Sequence, residues 1–294
     1  MNSLFYASKL VSIRTFNYLW KFQIKNLKTL SFSYKKAIIA SIEASKIIMG
    51  FYEKGFTSHF KNDGSPVTEA DFASSQVIIE HLSATNIPIL GEESEHPSFD
   101  IRKNWASNWC IDPLDGTKEY IKRNGEFAVN IALIEETVAT FGVIAWPIEK
   151  KVIFGGSKMG VFVSNFDTIE DSSTWEKLSI QQTANSPLVM ATSRSPHSGA
   201  SADFIEGLKK EHSEINFIKK GSALKFFDLA YGLADVYPRF APTMEWDIAA
   251  GQAILEALGG TVCSVETGLP LSYNKKDLLN PHFVAITQSL VKRQ

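Results

Sequence analysis

The chain has few cysteines and little net charge of either sign. Only Cys110 and Cys263 occur among 294 residues. Two cysteines make no disulfide framework, and neither has a CxxC neighbour. Both sit in strand-like apolar runs and read as reduced core residues of a cytosolic protein. The formal net charge of -2 argues against the electrostatic footprint of a nucleic-acid binder. The aromatics are scattered, so no stripe offers base stacking. No run approaches the roughly 18 uninterrupted apolar residues of a membrane span. No GxSxG elbow is present, which argues against a serine hydrolase. The 6 histidines are dispersed and show no HExxH or other zinc-ligand spacing. Gly155-Gly156-Ser157-Lys158-Met159-Gly160 lacks the Gly-Lys-Ser/Thr ending of a P-loop and reads as a hairpin turn.

Acidic residues are also missing before Glu43, where Lys9, Arg14, Lys21, Lys25, Lys28, Lys35 and Lys36 all occur. A basic, acid-free start is compatible with a targeting peptide, a membrane-surface segment or an upstream extension. Residues 1–32 are set apart as a basic extension. The remainder, with the whole chain 44% hydrophobic, suits a soluble protein with a real core. Its length fits one large domain or two intimately packed halves.

Apolar residues at helical spacing (Ile38, Ile39, Ile42, Ile47, Ile48, Phe51) predict a helix over about 33–53. A charged loop with Lys61, Asp63, Gly64 and Pro66 leads to a second helix from about Thr68, with apolar positions at Phe72, Val77, Ile78 and Leu82. Short, closely spaced strand signals then follow at 87–90, 105–111, 127–135, 138–146, 152–155 and 161–164, which suggests antiparallel meanders. After Leu178 the character changes. Strands near 188–192, 215–218, 261–265 and 282–286 alternate with helices after Gly199, from about Ala223 and over 248–258. Gly259-Gly260 marks the end of the last helix. These observations predict a layered α/β (α+β) fold, with a first half over 33–180 and an alternating second half over 181–294.

The chemistry concentrates at Asp112-Pro113-Leu114-Asp115-Gly116-Thr117. Two carboxylates stand three residues apart where an apolar strand breaks into a turn. Burying two like charges together is costly without a cation between them. Pro113 stiffens the backbone and Gly116 lets it approach a ligand closely. Thr117 supplies a hydroxyl. The reading is a hard divalent cation held by oxygen, with a phosphate beside it. Three further acidic positions join it: Glu92 after a short strand, Asp247 at the start of the last helix, and Asp71 three residues after Thr68. Each has a plainer reading alone. Glu92-Glu93-Ser94 could be a solvated turn, Asp247 an N-cap and Thr68-x-x-Asp71 a capping box. Together they form the oxygen-rich set that a multi-metal phosphate-ester site requires, and that chemistry needs no His or Cys nucleophile.

In order along the chain, Gly91-Glu92-Glu93-Ser94, Asp112-Pro113-Leu114-Asp115-Gly116-Thr117 and Trp246-Asp247 with Ala249-Ala250 resemble the inositol monophosphatase superfamily. Lys61-Asn62-Asp63-Gly64-Ser65-Pro66-Val67-Thr68-Glu69-Ala70-Asp71, Gly221-Ser222-Ala223-Leu224-Lys225-Phe226 and Tyr237-Pro238-Arg239-Phe240 are most similar to its 3'(2'),5'-bisphosphate nucleotidase branch. The likeness spans residues 33–286. It implies an αβαβα sandwich, with an antiparallel N-terminal sheet and a second C-terminal α/β sheet. It also implies a Mg²⁺-dependent, Li⁺-sensitive phosphomonoesterase. Two or three Mg²⁺ ions would be held by Glu92, Asp112, the Leu114 carbonyl, Asp115 and Asp247. Asp71 and Thr117 would be catalytic, orienting or activating the attacking water. Glu92, Asp115, Gly116, Thr117 and Asp247 would contact the substrate around the scissile phosphate, and Ser222, Lys225 and Arg239 would lie near the nucleotide. The implied substrate is adenosine 3',5'-bisphosphate, with its sulfated counterpart as a second, in support of sulfate assimilation. Ala241 and Tyr120 depart mildly from the branch, where Gly and Phe are usual, and bear on substrate fit. The carboxylates alone leave inositol or sugar phosphates open as substrates, and a catalytically weak binding or regulatory protein open as another class. The expected location is cytoplasmic, with peripheral contact at the inner membrane face left open, and the expected assembly a monomer or homodimer.

Overall fold

The computed structural model describes residues 30–61, 63–194 and 199–291. Most of the basic extension, residues 1–29, lies outside the described residues, as does Asn62. The peripheral-membrane expectation rested on that extension. The first helix, α1 (Phe32–Lys54), starts at Ser31, whose hydroxyl accepts the Tyr34 N–H, and buries Ile38, Ile42 and Ile48. An antiparallel hairpin of β1 (Ser58–Phe60) and β2 (Pro66–Thr68) follows. Helix α2 (Glu69–Ser83) then opens on the capping box that the sequence suggests, between Thr68 and Asp71. Phe72 departs from expectation: it is 53% exposed. The inward face of α2 near its start is small and polar, with Ala70, Asp71, Ser74 and Ser75 buried. It has to be, because the Ser74 hydroxyl donates to the Pro113 carbonyl at 2.7 Å.

Seven strands form the first sheet, β3 (Ile89–Gly91), β4 (Ser107–Asp115), β5 (Ala128–Glu135), β6 (Val138–Trp146), β7 (Lys151–Gly156), β8 (Gly160–Asn165) and β9 (Glu176–Lys177), in that spatial order. Two short helices interrupt them, α3 (Phe99–Arg102) and α4 (Thr117–Ile121). From β4 to β9 every pairing is antiparallel, the predicted meander, and β7–β8 is the predicted hairpin. Only β3 runs parallel to its neighbour β4.

The second sheet is mixed, ordered β11 (Ile215–Lys219), β10 (Leu188–Thr192), β12 (Val236–Arg239), β14 (Phe283–Ile286), β13 (Thr261–Ser264). Strand β10 pairs parallel with β11 and β12, whereas β14 is antiparallel to both neighbours. Its helices are α5 (Ala200–Lys209), α6 (Leu224–Ala230) and α7 (Glu245–Ala257). Helix α7 begins three residues earlier than the periodicity suggested.

Strand β5 shows how the layers stack. Its side chains alternate between two buried faces, as the strand period of two requires. Val129, Ile131 and Leu133 join α1 and α2 in one core, and Ala128, Ala132 and Ile134 join α6, α7 and the second sheet in another. Leu188, Met190 and Val236 meet Ile205 of α5 on the far side of the second sheet. The order is therefore helix pair, seven-stranded sheet, helix pair, five-stranded sheet, helix: the αβαβα sandwich. Helix α7 lies unusually close to the first sheet, because Gly142 of β6 faces Ala250. A Cβ at Gly142 would stand 2.2 Å from the Ala250 carbonyl oxygen. Among the described residues, no helix is long and apolar enough to cross a membrane.

Candidate active site

The site forms where β3, β4 and the start of α7 converge. Strand β4 continues through the acidic motif instead of breaking before it, so the expected turn is an irregular strand end. Its register against β5 shifts between Asp112 and Asp115. The cause is local. Pro113 has no N–H to give the ladder, and the Leu114 N–H turns onto Asp112 Oδ1 at 3.0 Å. A bulge of this kind aims both Asp side chains away from regular pairing. Asp115 Oδ2 accepts from Asn130 of β5 at 3.1 Å and from the Ala223 N–H at 2.6 Å. Gly116 then takes a left-handed conformation with φ 93, capping α4. A side chain there would also meet the Glu126 carbonyl oxygen at 2.9 Å, so only glycine suits both demands.

Ligand oxygens of Glu92, Asp112 and Asp247 all lie within 4.8 Å of one another. Glu92 directly follows β3, and its N–H donates to the Ile111 carbonyl of β4 at 3.2 Å. Asp247 is the third residue of α7, not its N-cap; its Oδ2 accepts the Met244 N–H at 2.9 Å. Its capping and site roles coexist, because a carboxylate has lone pairs for both. The His96 ring packs against the Trp246 indole, 5.3 Å between centroids, tying the loop after Glu92 to the start of α7.

Burial is the largest influence on the carboxyl groups of Asp112, Asp115 and Asp247. It raises the Asp112 carboxyl well above its ordinary range, with the charges of Glu92, Asp115 and Asp247 adding to the effect. The same desolvation lifts Asp115 to about 6, against the lowering influence of Lys225 and the Ala223 N–H. Asp247 is pushed up to about 8, by burial and then by Asp115. Three aspartates pushed up together make the cluster an electrostatic setting that a bound cation would relieve. Its donors are hard oxygens in a buried setting, and that set fits Mg²⁺. The Leu114 carbonyl is also at hand: it lies 3.1 Å from the Thr117 hydroxyl.

Beside the cluster stands a second pair. The Thr117 hydroxyl can donate to Asp71 Oδ1 at 3.0 Å. The other oxygen of Asp71 accepts from the Thr68 N–H at 2.8 Å and the Thr68 hydroxyl at 2.6 Å. Burial raises the Asp71 carboxyl, and the hydrogen bonds from Thr68 and Thr117 pull in the other direction. The three-residue spacing of the capping box thus also fixes which Asp71 oxygen faces Thr117.

The substrate-side residues sit around the 220–223 turn and β12. Ser222 has φ 48, and its hydroxyl accepts the Leu224 N–H at 3.3 Å. Arg239 donates through Nη1 to the Ser193 hydroxyl at 2.6 Å and through Nη2 to the Pro242 carbonyl at 3.3 Å. Its buried Nε has no hydrogen-bond partner among the described residues. Lys225 is only 3% exposed, and burial pulls its ammonium down to about 8.

Sequence reasoning missed three contributors. Lys61 Nζ reaches Glu92 Oε1 at 2.8 Å and Glu93 Oε1 at 2.5 Å, a contact across 31 residues that no local pattern announces. Glu93, read as turn, has a side chain only 5% exposed. Asn130 did leave a signal: a lone amide inside the apolar run Ala128-Val129-Asn130-Ile131.

Known proteins show what the chain is similar to. The Inositol monophosphatase family matches residues 30–293. The 3'(2'),5'-bisphosphate nucleotidase CysQ of Buchnera aphidicola is 37% identical over 262 residues, covering 88% of this chain and 91% of that protein. The protein of the same name from Salmonella typhimurium is 40% identical over 226 residues, covering 76% of this chain and 86% of its own length. The crystal structure of CysQ from Bacteroides thetaiotaomicron superposes with a TM-score of 0.78 at 37% identity, covering 89% of this chain and 99% of that one. The chain belongs to the inositol monophosphatase family.

Proposed function

We propose that the protein is a Mg²⁺-dependent phosphomonoesterase that removes the 3'-phosphate of adenosine 3',5'-bisphosphate, giving AMP and phosphate. The sulfated counterpart would be dephosphorylated in the same way, in support of sulfate assimilation. The observation that carries the chemistry is the carboxylate trio Glu92, Asp112 and Asp247, with oxygens within 4.8 Å of one another, Asp112 buried and the other two half-buried. Substrate class rests on relatives named as bisphosphate nucleotidases at 37% and 40% identity.

Glu92, Asp112, Asp115, Asp247 and the Leu114 carbonyl would hold two or three Mg²⁺ ions, a site open to inhibition by Li⁺. Bound there, the ions would supply Lewis-acid stabilisation of the phosphate and a more acidic water. The chain's own residues do the rest. Asp71 Oδ1 would take the proton that the Thr117 hydroxyl passes from the attacking water, a relay that the 3.0 Å Thr117–Asp71 contact supports. Thr68 keeps the other Asp71 oxygen occupied, so the accepting atom is defined. The Gly116–Thr117 backbone would cradle the scissile phosphate, with Ser222 and Arg239 on the nucleotide side. On this reading the halves 33–180 and 181–294 meet at the site.

A phosphate-release panel with Mg²⁺ tests the proposal. Adenosine 3',5'-bisphosphate should turn over faster than inositol 1-phosphate or fructose 1,6-bisphosphate, and millimolar Li⁺ should inhibit. Faster release from inositol 1-phosphate would overturn the substrate assignment. No release from any of the three would favour a binding or regulatory protein.

A further inference from the structure

The placement of Lys225 does not suit a residue that meets substrate. Its side chain is buried, and its ammonium has three hydrogens to place. One donates to the Ser222 carbonyl at 2.6 Å and another to the Lys220 carbonyl at 3.1 Å. The ammonium also stands 5.0 Å from the centre of the Tyr237 ring, in cation–π range. Its donors are thereby committed to the chain itself.

Both carbonyls belong to the turn that leads into α6. Within that turn Ser222 holds φ 48, a left-handed conformation that is unfavourable for a non-glycine residue. The next residue, Ala223, gives its N–H to Asp115 Oδ2 at 2.6 Å. The turn also touches the other half of the acidic motif. A Cβ on Gly116 would lie 3.2 Å from the Ser222 Cβ, and one on Gly221 would lie 2.9 Å from the Glu126 carbonyl oxygen. The turn therefore lies against Gly116 and beneath Asp115, and Lys225 is what fastens its carbonyls.

We infer that Lys225 is a positioning residue of the metal centre: it clamps the Lys220 and Ser222 carbonyls, holds Ser222 left-handed, and so aims the Ala223 N–H at Asp115. The inference rests on the reading of Asp115 as a Mg²⁺ ligand. Lys225 acts through the turn and makes no contact with the nucleotide.

The test is calorimetric Mg²⁺ binding without substrate, on wild type, Lys225→Met and the double variant Ser222→Gly/Lys225→Met. Methionine keeps an apolar stem against Tyr237 and loses the clamp. Its Mg²⁺ dissociation constant should rise about 10-fold or more, as for other residues that orient a metal ligand. At saturating Mg²⁺, the KM for adenosine 3',5'-bisphosphate should change less than the Mg²⁺ dissociation constant, since Lys225 itself does not meet the nucleotide. Glycine at 222 adopts positive φ without the clamp, so the double variant should recover Mg²⁺ affinity to within about threefold of wild type. Wild-type Mg²⁺ affinity in Lys225→Met, or a KM rise alone, overturns the inference. If Lys225→Met does not fold, the double variant decides: folded protein that binds Mg²⁺ near wild-type affinity supports the clamp, and folded protein with weak binding overturns it. Wild type that binds no Mg²⁺ overturns the metal reading of Asp115 and this inference with it.

Discussion

Asp112→Asn should stabilise the metal-free protein and destabilise it in Mg²⁺, relative to wild type. The Asp112 carboxyl shares a 4.8 Å neighbourhood with Glu92 and Asp247. Two unit charges at that distance repel by about 3.5 kcal/mol at an effective dielectric of about 20. Two such neighbours set a ceiling of about 7 kcal/mol. Much of that is relieved without metal, because the raised carboxyl groups take up protons. The net gain from removing one charge is then about 1–3 kcal/mol, or roughly 2–6 °C in a chain of this size. The amide costs little locally, since its Oδ1 can still accept the Leu114 N–H that Asp112 accepts at 3.0 Å. Mg²⁺ reverses the order. Wild type gains about 4.1 kcal/mol at 1,000 times its dissociation constant, and the variant, short of one ligand charge, gains far less. Phosphate release should fall by orders of magnitude. Thermal melts at pH 7.5, in EDTA and in Mg²⁺, read both signs at once. A variant that melts lower than wild type in EDTA would refute the repulsion argument, and equal Mg²⁺ stabilisation would remove Asp112 from the ligand set.

The metal-free protein should lose stability as pH rises. Asp112, Asp115 and Asp247 have folded-state pKa values above their ordinary one, so their contribution is whole below about pH 4 and is lost as pH climbs, through about 6 for Asp115 and about 8 for Asp247; melts in EDTA from pH 5 to 8.5 should slope downward, with Mg²⁺ flattening them. Glu245 is fully buried and accepts from the Asn274 N–H at 2.6 Å, the Lys275 N–H at 3.0 Å and Lys275 Nζ at 2.5 Å. Glu245→Gln leaves a buried donor facing donors and should cost about 2–4 kcal/mol in urea unfolding; a change under about 0.5 kcal/mol would refute that account. Gly142→Ala places a methyl 2.2 Å from the Ala250 carbonyl oxygen, so α7 must shift. It should lose about 1–3 kcal/mol of stability and weaken Mg²⁺ binding through Asp247, which calorimetry would detect.

Strand alternation and helical spacing made the layers legible, because each layer buries its own periodic face. The acidic motif was legible as chemistry because no core tolerates Asp112 and Asp115 together without compensation. The course of its backbone was less so: Pro113 suggests a break, yet β4 carries on to Asp115 by giving up ladder bonds. Lys225 shows the deeper limit. A basic residue in a substrate-side segment reads as a phosphate contact, and nothing in its neighbours says whether the ammonium points outward or back. That is decided by the left-handed Ser222, whose carbonyl turns to meet Lys225 Nζ at 2.6 Å. Lys61 is the converse case. It sits on a short hairpin, and its partners Glu92 and Glu93 come only with β3. The two lysines divide the work of compensating one acidic centre. Lys61 meets Glu92 at a partly exposed edge, where an arriving cation can replace it. Lys225 is buried under the turn that faces Asp115, its ammonium fastened to the Ser222 and Lys220 carbonyls. If the cluster holds Mg²⁺ as proposed, a site built this way would keep its carboxylates foldable before metal arrives and leave its open side to the ion.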